Sequence, residues 1–297
     1  MPMRQFTRPL SRCGPLTAVA LLLVCLPVTP SIGQSDDAPA PVHWAYAAFF
    51  GSGRYEFGGA PGVRVFRFDV RRNIRAPAYH DGTRTAGITL RIPVTLGRQE
   101  DAATGRIAGI GAGTSTISAV PGVEFPIPIG ERWSIKPLAN VGYGHATRGG
   151  DSAWIYRAGL RSRFTFDSRR FDWALVSALS VIGFRDDRGY SQRALPLTLG
   201  LDARIGLRNR RLGDDAVFLH WHVARTHYLD EPVLLRDPGA PALELDGEWE
   251  LGAAFSKGEK RLRLKRLSWD RVGLALRITG DADLAGVRLV FRSLFDR

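Results

Sequence analysis

Between Leu195 and Leu207 the chain alternates with a period of two. Leu195, Leu197, Leu199, Leu201, Ala203, Ile205 and Leu207 fall on one side; Pro196, Thr198, Gly200, Asp202, Arg204 and Gly206 fall on the other. Successive side chains of a strand point to opposite faces, so a run of this kind is half-buried only when extended. The same alternation returns at Ile88–Leu96, Val272–Ile278 and Val287–Phe295, and no helical period of any length appears from His43 onward. The fold class expected is therefore all-β. Strand candidates lie near 43–57, 63–71, 86–97, 114–129, 133–146, 153–166, 171–184, 195–207, 216–229, 244–256, 267–279 and 284–295.

Alternation alone fits a soluble sandwich as well as a barrel in lipid. Three features favour the barrel. The candidates run to about ten to fourteen residues, where soluble strands average about five or six and a tilted membrane strand needs about nine to eleven. Their polar faces carry charges, including Arg157, Arg161, Glu248 and Glu250, which suits a wet lumen. Trp44, Tyr143, Trp154, Tyr156, Trp173 and Tyr228 stand near strand ends, where aromatic girdles belong. Short polar turns (Gly130–Arg132, Asp167–Arg170, Asn209–Asp215) also alternate with longer loops rich in Gly, Pro and Asp (98–113, 148–152, 185–194, 230–242). The expectation is a closed antiparallel transmembrane β-barrel of about twelve strands, an even number returning the chain to its starting side. Two stretches fit this scheme poorly, 72–85 being long for a short turn and 257–266 being basic. Pro121, Pro126 and Pro128 remove ladder donors from one candidate, which implies a bulge or a shorter strand.

The N-terminus reads as an export signal. Arg4, Arg8 and Arg12 precede an apolar core from Leu16 to Val28, and Ser31-Ile32-Gly33 offers small residues for cleavage before Gln34. The domain scheme is a signal peptide over 1–33, a short periplasmic segment over 34–42 and the barrel over 43–297. Cys13 and Cys25 both fall in the leader, so the mature chain has no thiol for disulfides, metal or catalysis. The formal charge of +12 would suit nucleic acid, but the basic residues are spread over nearly every strand and the protein is exported, so no nucleic-acid partner is expected.

Few residues suggest chemistry. His220 and His222 share a strand face and His227 falls on the other, so they read as polar lumen residues and no metal is expected. His145, Ser152, Ser177 and Ser180 supply the residue types of an acyl-transfer site without a linear motif. The glycines at 105, 109, 111 and 113 lack the Lys-Ser/Thr of a phosphate loop and read as a flexible outer loop. No cofactor and no enzymatic activity are expected. More weight falls on Arg67, Arg91, Arg157, Arg161, Arg204, Arg277, Arg288 and Arg292 as lumen cations. They would either form an anion-selective pore or pair with Asp69, Glu124, Asp202, Glu248 and Glu250 and close the interior.

The ending Gly286-Val287-Arg288-Leu289-Val290-Phe291-Arg292-Ser293-Leu294-Phe295 and the opening His43-Trp44-Ala45-Tyr46-Ala47-Ala48-Phe49-Phe50-Gly51-Ser52-Gly53-Arg54-Tyr55 resemble bacterial outer-membrane barrels. More narrowly, the chain is similar to the solitary autotransporter-type barrels, a twelve-stranded translocator-like domain without a passenger, over about Val42 to Phe295. Gln34–Pro41 is too short to be a passenger. The resemblance implies an outer-membrane location, outer-membrane lipid and the barrel assembly machinery as partners, and Phe291 and Phe295 as a C-terminal assembly signal. It carries over no catalytic residue. The functions expected are a narrow channel or permeation barrel for small anionic solutes, a closed barrel serving as envelope scaffold or loop-display module, and third a lipid-acting enzyme.

Overall fold

The computed structural model describes residues 44–57, 62–99, 115–147, 151–168, 170–212, 215–230, 233–234, 243–257, 262–264, 267–280 and 284–296. The expected leader, the short segment after it and the glycine-rich loop 105–113 lie outside the described residues. Twelve strands close into one antiparallel barrel: β1 Gly53–Phe57, β2 Val63–Arg75, β3 Ile88–Gln99, β4 Ser115–Ala119 continued by Gly122–Glu124, β5 Trp133–Ala146, β6 Ser152–Ser168, β7 Phe171–Asp186, β8 Pro196–Leu212, β9 Asp215–Tyr228, β10 Gly247–Lys257, β11 Val272–Thr279 and β12 Leu284–Val290. Each strand pairs with its sequence neighbours, and β1 pairs with β12 from Gly53 opposite Arg288 to Phe57 opposite Leu284, which closes the ring.

The alternation sets the faces as expected, with apolar side chains outward. Phe66, Phe68 and Val70 on β2, Leu90, Ile92 and Leu96 on β3, Leu175, Leu179 and Val181 on β7, and Leu274, Leu276 and Ile278 on β11 are exposed on the outside. So wide an apolar surface on a single chain is the belt of a membrane-spanning barrel. Girdles bound it. Tyr143 packs edge-on against Trp154 at the end of the longer loops, and Phe166, Trp173 and Trp221 form a chain of rings at the end of the short turns. Tyr228 is not part of a girdle: its strand parity turns it into the lumen, where it is buried and its hydroxyl donates to Glu248 Oε1 at 3.3 Å.

Several boundaries differ from the sequence expectation, each for a local reason. The first candidate is strand only from Gly53; Trp44–Phe49 forms a 3-10 turn instead, with Ala45, Ala47, Ala48 and Phe50 buried. The small side chains let that turn sit inside the barrel, against Val65, Val120, Ala153, Ile155 and Phe184. β4 breaks at Val120–Pro121, where proline has no N–H to give, although the Pro121 carbonyl still accepts from the Val141 amide at 3.0 Å. Residues 72–85 are less a turn than the end of β2 followed by a ribbon, Ala78–His80 with Thr83–Thr85. Its tip is Asp81-Gly82, both at positive φ, the geometry that suits a two-residue hairpin. The basic stretch 257–266 similarly leads into a ribbon, Leu262–Leu264 with Leu267–Trp269, before β11 begins at Val272. The last strand stops at Val290, and Leu294–Asp296 turns into a short 3-10 segment.

If the belt faces lipid, an arginine at its middle is costly. Leu160 is exposed midway between Tyr156 and Phe164 on β6. Leu160→Arg is expected to lower stability by about 2–4 kcal/mol in urea unfolding from vesicles, where an exposed site in water would change by less than about 0.5 kcal/mol.

Candidate functional site

Inside the barrel lies a chamber of about 610 Å³, within the range of about 300–1,000 Å³ that holds a small molecule. Its two walls differ in chemistry. One carries Arg67, Asp69 and Arg71 on β2, Arg91 on β3, Arg157 and Arg161 on β6, Glu248 and Glu250 on β10, Arg277 on β11 and Arg288 on β12. The other is small and mostly apolar, with Val176, Ala178, Ser180 and Ile182 on β7, Thr198 and Gly200 on β8, and Ala224 and Thr226 on β9. Phe49, Phe50 and Gly51 of the N-terminal segment and Phe291, Arg292 and Leu294 of the C-terminal tail complete it.

Toward the short-turn end, two carboxylates organise the cations. Asp69 accepts from Arg91 Nη2 at 2.5 Å and from Arg67 Nε at 3.3 Å. Glu124 accepts from Arg91 Nη1 at 3.0 Å, with Arg71, Lys136 and Arg161 at 3.7–3.9 Å. The tail docks on this network. Lys136 Nζ reaches Asp296 Oδ1 at 2.5 Å and lies 4.1 Å above the ring of Phe295, Arg161 donates to the Phe295 carbonyl at 3.1 Å, and Arg71 donates to the Asp296 carbonyl. Burial would raise the Asp296 carboxyl, but Lys136 and Arg71 outweigh it and hold the group well below the usual carboxylate range. Leu294 seats over Gly200: a β-carbon there would come within 2.7 Å of Leu294 Cδ1, so this glycine is a matter of space.

Toward the loop end a second network forms. Arg277 donates to Glu248, and its guanidinium stands over the rings of Phe50 and Tyr55 at 5.7 and 5.8 Å. Glu250 accepts from Arg288 at 2.9 Å and meets His222 Nε2 at 2.8 Å, while Arg67 also caps the 3-10 turn by donating to the Ala48 carbonyl at 3.0 Å. Nearer the short-turn end, Arg271 donates to both oxygens of Asp202 at 2.8 and 3.0 Å, and His220 meets Ser256 Oγ at 2.7 Å.

The structure thus gathers seven of the eight expected lumen arginines, with Glu248 and Glu250, around one chamber. Arg204 stands apart at the short-turn rim, paired with Asp172 at 2.6 Å and placed over the ring of Phe218. Arg71, Lys136, Arg271 and Asp296 belong to the networks and were not singled out in the sequence. Arg71 shares the parity of Arg67 and Asp69 and was legible as lumen-facing at the end of the candidate 63–71, but nothing in the sequence shows its partners; Asp296 lies beyond the last strand and no periodicity reaches it. Phe295 is buried in the lumen, and Phe291 stacks on Trp269 with ring centroids 5.6 Å apart. His227 is exposed and away from His220 and His222, and no group of three or more metal-ligating side chains occurs among the described residues. His145 Nδ1 and Ser152 Oγ do meet, at 3.0 Å, on adjacent strands; Ser177 and Ser180 are on β7.

Charge within the chamber is unbalanced. Its lining holds eight arginines and three carboxylates, and with Lys136, Glu124 and Asp296 immediately behind it, cations outnumber carboxylates nine to five. Arg157 has no ion pair or side-chain hydrogen bond among the described residues, and its Nε is buried without a partner.

The fold is similar to that of an autotransporter β domain. The β domain of the Bordetella autotransporter BrkA superposes with a TM-score of 0.51 over 80% of this chain and 96% of that one, at 14% identity. The transport unit of AIDA-I from Escherichia coli gives 0.47 over 80% and 88% at 11% identity, and the outer-membrane transporter YddB from Escherichia coli gives 0.31 over 77% and 35% at 9% identity. No protein-family model and no curated protein matches the chain. The protein is therefore a closed twelve-stranded transmembrane β-barrel that shares its fold with an autotransporter β domain.

Two outcomes follow. Glu124→Gln removes the carboxylate that four cations share and is expected to cost about 3–5 kcal/mol in urea unfolding, because the cations stay buried. Because the Asp296 carboxyl is depressed, its contribution to docking exists above the unfolded-state value and is lost only as pH falls through its lower folded value. Acidification through the ordinary aspartate range, about pH 4, should leave the tail protected from carboxypeptidase.

Proposed function

We propose that the chain is an outer-membrane barrel of a Gram-negative bacterium that conducts small anions through a lumen normally held shut by its own C-terminal tail. The observation that supports this reading most is the excess of fixed positive charge in the chamber, eight arginines to three carboxylates. Cationic linings lower the barrier for anions. The short turns then lie in the periplasm and the longer loops outside, the usual arrangement of bacterial barrels. Export by the leader over 1–33 and insertion by the barrel assembly machinery belong to the same reading, Phe291 and Phe295 serving assembly before the tail docks.

A second reading, a closed barrel acting as envelope scaffold or loop-display module, draws support from how many lumen charges pair and from the turn and tail that enter the lumen from either terminus. A third, a lipid-acting enzyme, rests on the His145–Ser152 contact alone; among the described residues no carboxylate meets the other ring nitrogen to orient the base.

Single-channel recording in a planar bilayer under a salt gradient separates them. The full chain is expected to be mostly silent, while deletion of 294–297 gives stable openings that prefer anions. Gly200→Val, which displaces Leu294 without shortening the chain, should open it as well. Arg157→Glu in the deletion background should reduce the anion preference. If the deletion and Gly200→Val barrels are folded and both silent, the scaffold reading stands and the channel fails. An altered lipid composition in cells carrying Ser152→Ala would bring the enzyme forward.

A further inference from the structure

The barrel wall is not equally closed all round. β2 meets β1 only from Val63 to Val65, opposite Tyr55 to Gly53. One residue further, the contact is a single side chain: Ser52 Oγ donates to the Arg67 carbonyl at 3.1 Å and accepts from the Arg67 amide at 2.9 Å, while the Ser52 carbonyl accepts from the Leu289 amide at 2.7 Å. β12 stops at Val290, but β2 continues to Arg75. From Phe68 to Arg75, β2 therefore has a strand partner, β3, on one edge and none on the other among the described residues. On that open edge the Asp69 carbonyl takes a long hydrogen bond from Arg292 Nη2, at 3.4 Å. A bare edge in hydrocarbon is strongly disfavoured unless something polar satisfies it.

The chamber reaches into this gap. Its lining includes four residues whose side chains stand on the outer face, Phe66, Phe68, Val70 and Leu289, each 40–60% exposed. A continuous surface thus runs from the apolar belt, past the open edge, to an arginine-lined interior in which one guanidinium, that of Arg157, has no carboxylate against it. An anion is the chemical class that complements such a guanidinium, and the apolar approach runs along the outer belt.

We propose that this gap is a lateral portal, and that the chamber takes through it the phosphate head of an anionic lipid whose acyl chain stays against Phe66, Phe68 and Val70. The head meets Arg157 and the cations of the short-turn network; the chain never leaves hydrocarbon. The inference rests on the membrane placement proposed above and not on conduction.

The test uses the full chain with Cys13 and Cys25 changed to serine, refolded in neutral maltoside micelles. Single cysteines at Phe68→Cys and, on the far wall, Leu199→Cys carry a fluorophore. The probe is dodecyl phosphate brominated at the chain end, compared with the brominated alcohol and with inorganic phosphate as competitor. The expected result is saturable quenching at position 68 at about one probe per chain, with only micelle background at 199 and none of this saturation by the alcohol. Arg157→Gln should raise the half-saturating concentration about tenfold or more, the loss of one charge-assisted hydrogen bond. Arg157→Lys should recover part of it, and Arg185→Gln, exposed at the loop end, should change nothing. A heat-shifted gel band certifies that each variant is folded.

Equal quenching at 68 and 199, or by the alcohol, means micelle partitioning and overturns the proposal. Competition by inorganic phosphate as strong as by dodecyl phosphate means a free anion reached through water, and overturns it too, as does a position-68 label shielded from the probe by the chain's own residues. A silent barrel that binds the lipid loses only the channel reading; a conducting barrel that fails to bind loses only this one.

Discussion

Hydrocarbon supplies no hydrogen-bond partner, and from that single fact most of this structure follows. Every peptide group at membrane depth must find its partner within the chain, so a spanning sheet has to return to its own first strand. Here the return is made by two short elements, β1 of five residues and β12 of seven, although strands across the barrel reach seventeen. The ring is thus securely zipped along β5 to β9 and thinly closed at β1, where a serine side chain stands in for a strand. The seam is where closure is weakest, and it is also where Trp44–Phe49 and Leu294–Asp296 enter the lumen.

Closure decides the chemistry of the interior as well. With the apolar side chains committed outward, the alternate positions face inward and carry the charges, in a space narrow enough for cations and carboxylates to meet. Buried ion pairs of this kind contribute little net stability, since desolvation offsets attraction, yet removing one member is costly. The networks therefore act chiefly as geometry: Asp69 and Glu124 hold β2, β3 and β4 to the tail, and Glu248 and Glu250 hold β10 to β11 and β12. The remaining volume is filled by whatever chain is at hand. An alanine-rich turn fills the loop end because its side chains are small, and Leu294 fills the other side because residue 200 is glycine.

Alternation made the architecture legible: Leu160 outward and Arg161 inward can be read from parity alone, and twelve runs of that kind are twelve strands. What parity could not supply lay where it is interrupted. Trp44 to Phe49 looked like the start of a strand because alanines and aromatics carry no period, and the run past Val290 looked continuous because Phe291 and Phe295 keep apparent step. Arg157 and Arg161 were equally visible as lumen residues, but only coordinates separate the one that meets Glu124 and the tail from the one that meets no carboxylate. Parity assigns a face; pairing requires the height and tilt of strands that are distant in sequence. Arg71 and Asp296, 225 residues apart, are the extreme case.

A barrel serving only as a plugged scaffold would gain by neutralising its interior, and the means are close at hand. Glutamine at 157 would carry no charge to bury, and one more acidic residue on the apolar wall of β7 to β9 would meet it. Instead the unpaired guanidinium, the short seam and the open edge of β2 fall around the same chamber, while the opposite wall is kept small by Ala178, Gly200 and Ala224. Departures from local optimum that cluster in this way are the usual mark of a site under functional constraint, because each costs stability that a purely structural element has no reason to lose. Residual stability is abundant elsewhere in the ring, where long strands pair without a break, so the wall can tolerate a weak sector without unfolding. The asymmetry between the firmly zipped half and the seam is thus what allows a membrane barrel to keep both a sealed fold and an accessible interior.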